Sequence, residues 1–212
     1  MKVNYALSII WAAVILFFSG LMIFITLPYL SFKLNVDFLI TKQSIIHLKH
    51  WRYAFYLHIL SSVFVLLAGA VQFSEYFLCN HKKVHRFIGK MYVFIILFIS
   101  GPGALVMSFY ANGTTVAKTS FVLLSVLWFL FTTLAFYFAV KRNFIAHRKF
   151  MIRSYALTLS AITLRLYALM LPHFIHMEGR NEYALIAWAS WTINLLIAEL
   201  IIFSKRKKEI IF

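Results

Sequence analysis

Residues 119–140 read TSFVLLSVLWFLFTTLAFYFAV, 22 residues without a single charge. A hydrocarbon core roughly 30 Å thick takes about 20 apolar residues in a helix that bonds its own backbone, and this run supplies them. Working outward, five more such segments cover 6–30, 53–77, 87–109, 150–171 and 183–203. Together they predict an all-α, polytopic helical bundle of about six transmembrane helices, one integral membrane domain over 1–212. Composition agrees: 63% of residues are hydrophobic and 13% charged, against roughly 45–50% and about 25% in soluble domains. A water-soluble globule of 212 residues has too little interior to hide that excess. An ordinary cytosolic enzyme, a disordered chain and a disulfide scaffold are thereby excluded, and Cys79, the sole cysteine, allows no intramolecular disulfide. The first segment is expected to be a retained helix rather than a cleaved signal. Its uncharged run, 3–32, is too long for a signal core and shows no convincing small-residue cleavage site.

Lysine and arginine near the span ends set the orientation. Fourteen of the 21 fall on one side, at Lys2, Lys82, Lys83, Arg86, Lys90, Lys141, Arg142, Arg148, Lys149, Arg153 and 205–208. Six, namely Lys33, Lys42, Lys49, Arg52, Lys118 and Arg180, fall on the other. Both termini and the turns at 79–86 and 141–149 are therefore expected on the cytoplasmic side of a bacterial inner membrane. The partners are the bilayer itself and its anionic lipid headgroups. The net charge of +15 is then a topology signal, with no soluble module to bind nucleic acid. The longest polar stretch, 31–52, reads either as an amphipathic segment in the interface or as a plain loop. Trp51, Tyr53, Tyr110, Trp188 and Trp191 suit aromatic belts. Gly101-Pro102-Gly103 predicts a kink or an early helix end in the third span, unless its glycines serve only packing.

Ionisable groups within apolar spans are costly and face a bundle interior or cavity, so they are the informative positions. His58 and Arg165 are expected about five to seven residues inside the outer ends of spans two and five, or roughly 7–10 Å. For Arg165 the candidate acceptors are Asn194, Thr192, Thr163, the carbonyls around Pro172 or a cofactor propionate. Toward the inner side lie Gln72, Glu75 and Glu199. Glu199 with Arg153, and Glu75 with Lys82 or Arg86, are the simple pairings. His85-Arg86 and His147-Arg148 each close a basic turn and open an odd-numbered span, 62 positions apart. Such matched half-repeats are a way membrane proteins build a central site. His147 and Arg165 are separated by 18 residues, about five turns at 3.6 residues each. They would share a face with Met151, Ser154, Thr158 and Ala161.

Histidines at equal depth on two helices can clamp a haem iron. His85 and His147 meet that requirement as haem b ligands, with Arg86, Arg148 and Arg153 able to hold propionates. On the outer side His58 would pair with His173 or His176, with Arg165 as the propionate partner. Hydrogen bonding at a helix start is the plainer use of the same histidines. The short-spaced pairs His81/His85, His173/His176 and His47/His50 lack the Cys or acid that completes a zinc set. No Walker loop, GxGxxG, HExxH or GxSxG occurs, so phosphoryl transfer, dinucleotide binding and serine hydrolysis have no support.

His58, Gly69 and Gln72 are followed by His85-Arg86-Phe87-Ile88-Gly89-Lys90-Met91-Tyr92 and Trp128. Then come His147-Arg148-Lys149-Phe150-Met151-Ile152-Arg153-Ser154 and Thr163-Leu164-Arg165. This pattern, over roughly the middle half of the chain, resembles the bacterial integral-membrane family called domain of unknown function 2306. The resemblance implies a multi-pass membrane protein and nominates positions, but it supplies no reaction. A weaker similarity is to cytochrome b561-type six-helix haem proteins, whose four central helices carry the haem histidines. The fourth span here has none, which leaves His85 and His147 as the position-matched pair.

Three functions follow as expectations. The first is a transmembrane redox carrier with haem b on His85 and His147. The second is a small-solute or proton-coupled transporter with a polar path through His58, Arg165, Gln72 and Glu199, with Asn194 also in the polar core. The third is a membrane assembly or structural factor.

Overall fold

The computed structural model describes residues 5–174 and 179–210; Lys2 and His176 lie outside it, as do the side chains of 5–12, Glu75 and 205–210. The helices are α1 (Tyr5–Thr26), α2 (Lys49–Gln72), α3 (Glu75–Asn80), α4 (Lys82–Ile95), α5 (Gly101–Phe109), α6 (Thr115–Val140), α7 (Phe144–Thr158), α8 (Ser160–Phe174) and α9 (Gly179–Ile210). No strand occurs among the described residues. Six stretches are long and apolar enough to cross a membrane: Ala13–Ser31, Lys49–Gln72, Lys82–Phe109, Thr115–Val140, Phe144–Phe174 and Gly179–Ser204. All six expected spans are present. Several begin earlier than hydropathy suggests, because a helix continues through charged residues into its first turn. Span two stops at Gln72 rather than at 77. Phe73 (φ −93°, ψ 0°) leaves the helix, Ser74 is extended, and the short α3 begins.

The chain divides into two compact units, Met1–Gly103 and Ala104–Phe212. In the first, α2 packs on α1 and on α4. The stretch after α1 is neither an interfacial α-helix nor an open loop. It forms two 3₁₀ turns, Leu27–Ser31 and Asp37–Lys42, that fold onto the start of α2. Leu39, Trp51 and Phe55 are essentially inaccessible. Tyr29, Phe38 and Trp51 each put a ring within 5.2–6.1 Å of the Phe55 ring. The Tyr29 hydroxyl accepts the Phe38 amide at 3.2 Å, and the Lys42 ammonium sits 5.3 Å from the Phe38 ring centroid. Aromatic area, rather than amphipathic periodicity, decides this segment.

In the second unit α6 and α7 form a hairpin and α9 packs on α6, α7 and α8. Lipid offers no hydrophobic drive between helices, so contact must come from close packing and hydrogen bonds. Ser120, Thr132, Ala135, Ser154, Ala187 and Ser190 are all fully buried. Thr132 Oγ1 lies 2.8 Å from Ser154 Oγ, and Trp128 Nε1 donates to Thr158 Oγ1 at 3.0 Å. Trp191 Nε1 donates to Ser120 Oγ at 2.9 Å. Such bonds contribute about 0.6 kcal/mol on average in a membrane, and at most about 1.7 kcal/mol.

Candidate functional site

Two helices carry interruptions, and each interruption is met by a polar side chain. In the first unit Pro102 has no amide hydrogen, and its ring crowds the carbonyl one turn earlier. The helix does not end there. One residue is absorbed just before it, as a π turn over Ile96–Ser100 in which the Gly101 amide reaches five residues back to the Ile96 carbonyl. The expected early end does not occur, and the helix continues as α5. Opposite it stands His58, whose Nδ1 is 3.0 Å from the Ser100 carbonyl and 3.1 Å from Ser100 Oγ. A carbonyl only accepts, so Nδ1 carries the proton and the ring's lone pair lies on Nε2. Gly103 permits this approach. A Cβ there would lie 2.6 Å from the Ala54 carbonyl oxygen and 3.0 Å from His58 Cβ. Since α2 begins at Lys49, His58 is nine residues along it, about 13 Å.

In the second unit the break falls at Leu159, between α7 and α8. The Leu159 carbonyl accepts the amides of Ile162 at 2.9 Å and Thr163 at 3.2 Å. Asn194, from α9, donates to the Ala156 carbonyl at 3.2 Å and to Thr163 Oγ1 at 3.1 Å, and Thr163 Oγ1 donates to the Ser190 carbonyl at 2.6 Å. The Asn194 amide thus secures the break. The stripe from His147 faces α6 through Met151, Ser154 and Thr158, all buried. Beyond Leu159 it no longer does, because α8 packs on α9. Arg165 Nη1 donates to the Ala161 carbonyl of its own helix at 2.8 Å.

The two interruptions extend the half-repeat seen in the sequence. The π turn lies 11 to 15 residues past His85, and Leu159 lies 12 past His147. The repeated motifs also share a task, since each ties its helix to the preceding arm of a hairpin. The His85 carbonyl accepts Gln72 Nε2 at 3.0 Å. Gly89 leaves room for that amide, because a Cβ there would meet Gln72 Oε1 at 2.9 Å. In the second hairpin the His147 Nδ1 donates to the Ala135 carbonyl at 2.8 Å, which again leaves the lone pair on Nε2.

Arg153 takes the partner expected for Glu199. Its Nε and Nη2 donate to Oε1 and Oε2 at 2.5 and 2.8 Å, a fork that matches a carboxylate. The guanidinium stacks 5.0 Å from the Phe150 centroid and 6.0 Å from that of Phe131. Arg86 Nε donates back to the Lys82 carbonyl at 3.3 Å, and Arg148 is exposed. His85 belongs to the first unit and His147 to the second. His58 and His173 are likewise divided between the two. The pairing of Glu75 falls on a side chain outside the described residues. Among the described residues no three His, Cys, Asp or Glu side chains gather as a metal set. Sequence reasoning missed Ser100 and Ser120, because a serine that bonds a neighbouring helix reads the same as one bonding its own turn, and it missed Ser190, which takes part through its backbone carbonyl.

A family model described as "Predicted membrane protein (DUF2306)" matches residues 55–202. The chain belongs to this family. The match takes in both hairpins, both interruptions and the Arg153–Glu199 pair, and the resemblance read from the His-Arg motifs is the same one. No curated protein and no solved structure matches the chain. The family is one of membrane proteins of unknown function, and the six apolar helices agree with it.

The ion pair yields a stability test. Glu199→Gln should cost about 1–3 kcal/mol, because it strands the Arg153 charge, and adding Arg153→Met should recover part of that loss. Unfolding in bicelles under increasing denaturing detergent measures both.

Proposed function

We propose that this protein moves protons, alone or coupled to a small polar solute, across the membrane, and that the interrupted helix of the first unit is its working element. The observation that carries this is His58 donating into the π turn at Ser100, well inside an apolar helix. An ionisable group at that depth is expensive to keep without use. A π turn is a frequent device of functional sites, and helix breaks at matched positions of two halves are a pointer to transporter sites. In the neutral ring Nε2 accepts the proton while Nδ1–H stays on the Ser100 carbonyl. The imidazolium so formed keeps that oxygen as its partner, and loss of the Nε2 proton restores the starting tautomer. Gln72, Glu199, Asn194 and Arg165 have structural bonds of their own and are supporting residues in this reading.

A second reading, haem b, draws on one specific feature. An imidazole whose Nδ1–H is fixed on a carbonyl presents Nε2 in the form and direction that suit an iron ligand, and both His58 and His147 are so fixed. Haem would supply one-electron chemistry. His147 would hold the iron and Arg148 is exposed to meet a propionate, whereas Arg153 is already committed to Glu199.

Flux into proteoliposomes under a pH gradient, read with an internal dye, tests the first reading. His58→Gln keeps an amide donor for Ser100 but cannot carry a proton, and should lower proton flux roughly a hundredfold or more, the contribution typical of a positioned proton-transfer group. Flux equal to wild type would contradict proton transport through His58. A Soret band in the same preparation, lost in His147→Ala, would move the assignment to haem.

The orientation belongs to the same proposal: both termini and the two basic turns face the cytoplasm of a bacterial inner membrane. Cys79 is a native reporter, being the sole cysteine and exposed. A membrane-impermeant maleimide should label it in inverted vesicles and not in intact spheroplasts; labelling in spheroplasts would reverse the topology.

A further inference from the structure

The turn between α3 and α4 has a charge pattern that neither reading of the core uses. His81, Lys82, Lys83 and Arg86 line an open depression. The His81 ring is held against the Tyr76 ring at 5.3 Å, with Nε2 3.3 Å from the Tyr76 hydroxyl. The Arg86 bond to the Lys82 carbonyl keeps its guanidinium over the first turn of α4. Lys82, Arg86 and Lys90 recur every four residues, so they form one basic stripe along α4. Beside it Val84, Phe87, Met91, Phe94 and Phe98 are all exposed. Their spacing of three and four residues draws an apolar track from the turn into the hydrocarbon. The only carboxylate of this turn is Glu75. Counting it against Lys82, Lys83, Arg86 and Lys90 still leaves an excess of three positive charges.

We infer that this is a binding site for one anionic phospholipid, with its phosphate in the basic depression and an acyl chain along the Val84–Phe98 track. The charge chooses the headgroup. Three to four cations held within two turns attract a phosphodiester, and a zwitterionic lipid brings its own ammonium to the same place. The track chooses a lipid over a soluble anion, because exposed phenylalanines two and three turns deeper give inorganic phosphate nothing. Each basic residue near an anionic surface contributes about a fivefold gain in affinity.

Native mass spectrometry of the full chain in detergent tests the site. The probes are phosphatidylglycerol and phosphatidylcholine with identical acyl chains, offered in equal amounts. Phosphatidylglycerol should be retained roughly tenfold or more over phosphatidylcholine. The triple variant Lys82→Gln/Lys83→Gln/Arg86→Gln should lose that preference. Lys141→Gln/Arg142→Gln, at the other basic turn, should keep it. The substituted side chains are exposed, and an unchanged melting temperature confirms that the variants fold. Equal retention of the two lipids, a preference surviving in the triple variant, or displacement of the lipid by millimolar inorganic phosphate would each overturn the assignment.

Discussion

Inside a bilayer a backbone carbonyl without a partner is costly, since no water is there to take its place. Two places where the helices are not regular bear on that constraint. At the π turn of the first unit, the Ser100 carbonyl receives the Nδ1–H of His58. Near the break of the second, the Ala156 carbonyl receives the side-chain amide of Asn194. At the second break the amide takes a carbonyl that the helix no longer serves, whereas at the π turn His58 adds a bond to the residue that ends the turn and ties two helices together there. The cost is a polar residue at membrane depth, and the return is a pair of helices locked in register at a defined level.

The rest of the packing obeys the same economy of polar contacts. Serine and threonine on α6 and α7 face each other, tryptophan ring nitrogens find hydroxyls, and the Arg153–Glu199 fork joins α7 to α9. Small residues let the backbones come close enough for these bonds. The His-Arg motifs that stand out in the sequence fit here too. One offers a carbonyl to Gln72 and the other a ring N–H to Ala135. Their conspicuous arginines divide: Arg148 stays exposed, while Arg153, five residues later in the same helix, is drawn into an ion pair.

Six spans and the Arg153–Glu199 pair are legible in the sequence, because length, apolarity and opposite charge are local quantities. Asn194 could also be singled out, as a polar residue in oil. What could not be read is where helices deviate. Pro102 announces a disturbance, yet the turn that absorbs it lies at 96–100, among residues with no helix-breaking tendency. The break at Leu159 has neither proline nor glycine nearby, and it is marked instead by partners on α9. The 3₁₀ turns of the 31–52 stretch could not be read either. Its hydrophobic residues divide: Leu39 is buried and Phe38 stacks on Phe55 at the start of α2, while Phe32, Leu34 and Ile40 stay exposed.

The histidine tautomers report most directly on whether side chains hold the irregular backbone. Nitrogen-15 solid-state spectra of ring-labelled protein in bilayers distinguish a protonated Nδ1 from a protonated Nε2. His58 should carry its proton on Nδ1 with Nε2 unprotonated, and Ser100 labelled at its carbonyl carbon should sense that proton. A His58 ring protonated on Nε2 alone, with no coupling to the Ser100 carbonyl, would contradict the role given to that bond.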